Sequence, residues 1–216
     1  MGKTDGGFGV ELAPMKTKKQ GSKHQLADRW PTIILASASP RRATLLAEMG
    51  IKFKVVPGQV AEETHDYLSP SELVRLNARN KAHAVAAKYP GQLVLGADTV
   101  VCLGARVFGK PATIEEARSF LEQLQGQSHQ VITGVCLICR QRHRERLFAV
   151  ISTVRFRSLT SSQIDRYLEK VNPLDKAGAY AIQEHGEMIV EEISGSYSNV
   201  VGLPLERLQE ELDITI

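Results

Sequence analysis

Short unbroken apolar runs alternate along the chain with stretches whose apolar residues recur every three or four positions. These are the periods of buried strands and of one-sided helices. "TIILAS" predicts a buried strand. Ser39 then caps a helix, with Pro40 at its first position and Gly50 at its end. "FKVV" predicts a short strand. Ser69-Pro70-Ser71-Glu72 is a capping box, and the helix it opens runs to about Tyr89. "QLVLGAD" predicts a buried strand ending at Asp98. Thr113-Ile114-Glu115-Glu116 is a second box, opening a helix to Leu124. "SHQVITGVCLIC" and "LFAVISTVRFRSL" are long strands joined by the polar run "RQRHRER". "TSSQIDRYLEKV" is a helix, "GAYAIQ" and "MIVEEI" are strands, and Pro204 opens a last helix. Hairpins together with crossover helices predict an α/β protein with a mixed sheet.

Charge changes the picture at one end only. The net +3 of the 216 residues is that of residues 1–29, where six basic residues face three acidic ones. The remainder holds 21 of each sign (27 − 6 and 24 − 3). The body therefore has no excess of positive charge for nucleic acid. Residues 1–29 read as a disordered basic tail, or a stretch appended to the natural chain, ahead of one domain over 30–216. No apolar run is long enough to span a bilayer. Three cysteines, an odd number, suit a reducing compartment and a cytoplasmic protein. Cys136 and Cys139 fall three apart on a strand, on opposite faces, so they read as core residues rather than a metal or disulfide pair.

Four stretches carry candidate chemistry. In "SASPRR", Arg41 and Arg42 occupy the first turn of a helix, where cations are disfavoured. Two guanidiniums with the hydroxyls of Ser37 and Ser39 form a phosphate cradle, or else a capped helix with two solvated arginines. In "GADTVV", Asp98 leaves an apolar strand as a metal ligand or general base, or as an Asx turn. "GARVFGKP" imitates a phosphate loop, but Pro111 stands where that loop needs Ser or Thr, and no helix begins immediately after Lys110. Lys110 remains a cation that a hairpin turn can bring toward Asp98. In "DKAGAYAIQEHG", Gln183 can read a base edge or belong to a surface loop.

Six motifs in order, "LASASPRRATLLAEMG", "GADTVV", "GKP", "HQVITGV", "DKAGAYAIQ" and "NVVGLPL", resemble the Maf-like family of nucleoside triphosphate pyrophosphatases over about residues 32–212. The resemblance implies a fold like the inosine triphosphate pyrophosphatases: an elongated mixed sheet, flanking helices and two lobes around a cleft. It implies hydrolysis between the α and β phosphates of a nucleoside triphosphate, with Mg²⁺ or Mn²⁺. It makes Asp98 the proton acceptor and, with Glu62, a metal ligand; Glu63 is the other match for that acid. It places Ser37, Ser39, Arg41, Arg42 and Lys81 on the substrate and sets Lys110 beside Asp98 as a catalytic residue. Thr99 and Gln183 match the branch acting on dTTP and UTP rather than the one acting on 7-methyl-GTP. Ala61, where an acid is common, and Glu184, where glycine is usual, depart from the pattern. A nucleotide-sensing protein of septum formation is the alternative of another class. A homodimer is a family expectation that no residue of this chain argues for.

Overall fold

The computed structural model describes residues 30–63 and 67–215, so the tail lies outside the described residues. Its seven strands are β1 (Ile33–Leu35), β2 (Phe53–Val55), β3 (Leu93–Leu103), β4 (Arg106–Phe108), β5 (Ser128–Cys139), β6 (Arg144–Phe156) and β7 (Val190–Ser194). They form one sheet in the order β2-β1-β3-β5-β6-β7, with β4 also paired to β3. β1 runs parallel to β2 and β3, and every other pairing is antiparallel. The helices are α1 (Pro40–Glu48), α2 (Pro70–Ala86), α3 (Ile114–Leu124), α4 (Ser161–Leu168), α5 (Tyr197–Val201) and α6 (Leu205–Thr215). The mixed α/β architecture expected from the alternation of periods is the one observed.

Two hydrophobic clusters occupy the two ends of the long strands. Ile33, Leu35, Leu46, Leu95, Leu208 and Leu212 pack where α1 and α6 cover one face. Val101, Phe108, Leu121, Phe156, Ile164 and Tyr167 pack where α3 and α4 cover the other end. α2 lies on the opposite face, over Val94 and Cys136, through Ala78 and Ala82. That approach is close because two strand positions lack side chains. A Cβ on Gly96 would collide with the Ala78 carbonyl and come within 2.8 Å of the Ala82 nitrogen; one on Gly134 would collide with the Val74 carbonyl.

Several expectations are corrected. β3 does not end at Asp98. Its ladder with β5 runs unbroken from Val94↔Ile138 to Cys102↔Gln130, with Asp98 opposite Gly134. "GAYAIQ" is not a strand: Gly178 and Ala179 have φ of 69° and 64°. The Ala181 N–H and C=O bond to the Tyr167 hydroxyl at 3.0 and 3.2 Å instead of to a neighbouring strand. Gln183 therefore sits on a turn. The Ser69 box is complete, but the second box is half formed. Thr113 accepts from the Glu116 N–H, while Glu116 takes the N–H of Ala112. Ser39 occupies the cap position of α1 without a side-chain capping bond. Cys136 packs on the α2 side and Cys139 on the α6 side; with Cys102, all three are free and buried.

Candidate active site

β1 covers the edge of β3 from Leu93 to Leu95, and β4 covers it from Val101 to Leu103. Between them, Gly96–Val100 has no strand partner on that side among the described residues. A cleft of about 1020 Å³ opens at this gap. The parallel strands β1 and β2 both deliver their carboxyl ends to it, the usual place for a ligand in an open α/β sheet. Every residue nominated from the sequence lines it, from Ser37 and Arg41 to Lys110 and Gln183.

α1 follows directly from β1, so its first turn faces the cleft. Arg42 is anchored there by three acceptors: the Gly202 carbonyl at 2.9 Å, Ser37 Oγ at 3.1 Å and Thr99 Oγ1 at 3.0 Å. Burial lowers its guanidinium from the ordinary value, and Asp98 opposes that shift. Thr99 passes the chain on to Thr133 at 3.0 Å. Arg41 reaches across the cleft instead, to Asp175 Oδ2 at 2.7 Å and the Asp175 carbonyl at 2.9 Å. The two arginines thus differ. Arg42 is built into the wall, with three of its five donors engaged, while Arg41 bridges the two sides.

On the other face of β3, alternation turns Asp98 toward α2. Asp98 is 6% exposed. Its Oδ1 accepts from Lys81 Nζ at 2.6 Å and its Oδ2 from Asn77 Nδ2 at 3.3 Å. Lys81 Nζ also donates to Glu62 Oε1 at 2.8 Å, and Lys110 Nζ lies 3.7 Å from that oxygen. Of the two acids that the sequence left open, Glu62 meets the lysines, whereas the Glu63 backbone is bound on both sides by the Asn77 amide. Burial would raise the Glu62 carboxyl; the Lys81 hydrogen bond, with Lys110 and Arg42 behind it, holds it below its ordinary value. Lys110 meets Asp98 only through Glu62 and Lys81.

Asn77 escaped the sequence reading. Its one signal is a polar residue on the buried stripe of α2, four positions from Leu73 and one from Ala78. The Asp175–Lys176 pair was visible only as polar residues among small ones. Burial raises the Asp175 carboxyl, but hydrogen bonds from Lys176 and Arg41 outweigh it, and the net shift is downward. A depressed carboxylate adds stability above its unfolded pKa and loses it as pH falls through the folded one. The difference in Tm between wild type and Asp175→Asn should therefore be present at neutral pH and close as pH falls below about 4. A difference that persists unchanged in acid would mean that these ion pairs add nothing to stability.

A family described as "Maf-like protein" matches residues 32–214. The chain belongs to that family. Among Maf-like relatives, a "dTTP/UTP pyrophosphatase" of Symbiobacterium thermophilum is 49% identical over 181 residues, 83% of this chain and 92% of that protein. One of the same name from Myxococcus xanthus is 49% identical over 173 residues, covering 80% and 87%. Another from Syntrophus aciditrophicus is 44% identical over 180 residues, covering 83% and 88%. Among solved structures, the Ham1 protein of Staphylococcus aureus aligns with a TM-score of 0.47 at 16% identity, over 85% of this chain and 98% of that one. No helix among the described residues of this Maf-like chain is long and apolar enough to cross a membrane.

Proposed function

We propose that the protein hydrolyses dTTP and UTP to the monophosphate and pyrophosphate. The observation that carries this reading is the convergence of Asp98, Lys81, Glu62 and Lys110 on one side of a cleft whose other wall holds Arg41 and Arg42. A triphosphate brings three to four negative charges, and arginine and lysine at these positions are suited to hold them. The names of the relatives supply the pyrimidine substrates.

In this reading Asp98 accepts a proton from water. The water oxygen bonds to the α-phosphorus in line as the bond to the bridging oxygen breaks, and pyrophosphate leaves toward Lys110 and Arg41. Lys81 and Asn77 each take one oxygen of Asp98, leaving lone pairs on both for water. No covalent nucleophile is needed. A divalent cation fits the same place. Among the described residues no three His, Cys, Asp or Glu side chains converge as a metal group, but Glu62 and Asp98 meet at one ammonium. Mg²⁺ or Mn²⁺ is satisfied by one or two carboxylates with phosphate oxygens and waters completing its shell. When bound, such an ion neutralises phosphate charge and acidifies water.

Pyrophosphate release from dTTP, UTP, purine triphosphates and 7-methyl-GTP, each with Mg²⁺ or Mn²⁺, tests the proposal. Many equivalents per chain are expected from dTTP and UTP. Less than one equivalent from every nucleotide would leave a nucleotide-sensing protein as the reading, and turnover confined to 7-methyl-GTP would reassign the branch.

Gln183 is exposed on its turn and lines the cleft. Its carboxamide can pair with N3–H and one carbonyl of thymine or uracil together. Guanine presents the same N1–H and O6 pair from a larger ring, so an amide placed for a pyrimidine meets a purine edge out of position. Losing an exposed hydrogen bond of this kind costs about 0.5–1.5 kcal/mol, or roughly 2- to 10-fold in selectivity. Gln183→Ala should lower kcat/KM for dTTP and UTP more than for a purine triphosphate. An equal loss for all nucleotides would show that Gln183 does not read the base.

A further inference from the structure

We propose that Lys176, acting through Glu184, is a positioning residue for base selection: it fixes the turn that carries Gln183 and ties it to the arginine that bridges the cleft. The inference rests on the nucleotide reading above and adds residues to it.

Lys176 is 4% exposed, an environment an ammonium enters only when its charge and donors are matched. All three donors find partners. Lys176 Nζ donates to the Asn172 carbonyl at 2.7 Å and to Asp175 Oδ1 at 2.8 Å, and pairs with Glu184 Oε2 at 3.2 Å. The other oxygen of Asp175 holds Arg41. One ionic chain, Arg41–Asp175–Lys176–Glu184, therefore runs from the first turn of α1 to the residue after Gln183. Its four charges cancel.

The segment between Lys176 and Glu184 is the wall facing α1. It is pinned at Gly178, whose N–H bonds to the Gly109 carbonyl at 3.0 Å. It is pinned again at Ala181 by the Tyr167 hydroxyl. Beyond Ala181 the chain turns toward solvent, and Gln183 has no hydrogen-bond partner among the described residues. The next tether is the Glu184–Lys176 pair. Gln183 is thus held on one side by Tyr167 and on the other by Lys176. An ionic chain in which Lys176 is buried but Asp175 and Glu184 are 45% and 41% exposed is a poor source of stability, since solvent screens its outer pairs. Its best use is to fix one arrangement, here the distance between the base reader and the phosphate arginine. Glu184 also stands where the resemblance leads one to expect glycine, so this tether belongs to this chain's own sequence.

The test is binding of the nonhydrolysable α,β-imido forms of dTTP and dGTP, measured by calorimetry, so that it does not depend on turnover. Glu184→Gln keeps the size of the side chain, removes its charge and sits at a half-exposed position. It should lower the ratio of dTTP to dGTP affinity by about 5-fold or more, with Tm close to wild type. In a Gln183→Ala background the same substitution should change that ratio by less than about 2-fold, because the residue through which it acts is gone. A ratio unchanged in Glu184→Gln, or an equal loss in both backgrounds, would overturn the positioning role. Pyrophosphate release by the wild type separates the two claims. Turnover with unchanged discrimination in Glu184→Gln sinks this inference alone, and failure of the wild type to bind either nucleotide sinks both.

Discussion

Asp98→Asn should lower kcat by about 10²–10⁴-fold, the range for loss of a general base, while leaving the fold in place. The substitution keeps the shape of the side chain and removes the group proposed to accept a proton. Lys81 retains Glu62 as a partner at 2.8 Å, so its ammonium is not stranded, and Asn77 still has the Glu63 backbone on both sides of its amide. The Tm should therefore move far less than the rate. KM should change less than kcat, because the cations proposed to hold the phosphates are untouched. A variant that keeps more than half of the wild-type kcat would remove Asp98 from the chemistry.

Gly96→Ala should damage stability and rate together, from a position whose own side chain touches no substrate. The added methyl would collide with the Ala78 carbonyl and approach the Ala82 nitrogen and Cβ at 2.8 and 2.9 Å. Two of these three atoms are helix backbone, so no rotamer change relieves the contact. The strand cannot retreat either, since β5 pairs along its whole length there. α2 must shift. Overpacking of this kind costs about 1–3 kcal/mol or more, and a chain of this size loses roughly 2–4 °C of Tm per kcal/mol. The activity loss should exceed that expected from the unfolded fraction, because α2 carries both Lys81 and Asn77. A shift of about 1 Å in a positioned group can cost on the order of 100-fold. Gly109→Ala, with no atom within 4 Å of the added methyl, is the control for stability and should leave Tm unchanged. If Gly96→Ala matches it, the close approach of α2 is not what holds the site.

Much of this arrangement was readable from residue order because the signals are local. The Ser69-Pro70-Ser71-Glu72 box, the proline at the start of α1 and the long apolar runs of β5 and β6 each fix an element within a few residues. The site residues could be nominated because charge placed against a structural preference, as in Arg41-Arg42 on a helix start, needs a reason. What was not readable is non-local. An apolar run such as "GAYAIQ" has the composition of a strand, and nothing within it says that Tyr167 will take its backbone groups. A carboxylate after "LVLGA" looks like a strand end, because the lysine that matches it is 17 positions earlier. The Arg41–Asp175 bridge spans 134 positions, and no period or motif spacing encodes it.

The unbroken pairing of β3 with β5 has a consequence beyond stability. Asp98 and Thr99 are neighbours in sequence, yet one turns to the lysine side and the other to the arginine side. Side chains alternate with a period of two, so slipping the strand by one residue would exchange them. Asp98 would meet Arg42, and the hydroxyl of Thr99 would meet Lys81. Every group proposed for hydrolysis would still be present, and none would stand beside its partner. The hydrogen bonds that set Asp98 opposite Gly134 thus act as an address label, and the pairing register is as much a part of the proposed active site as the carboxylate it delivers.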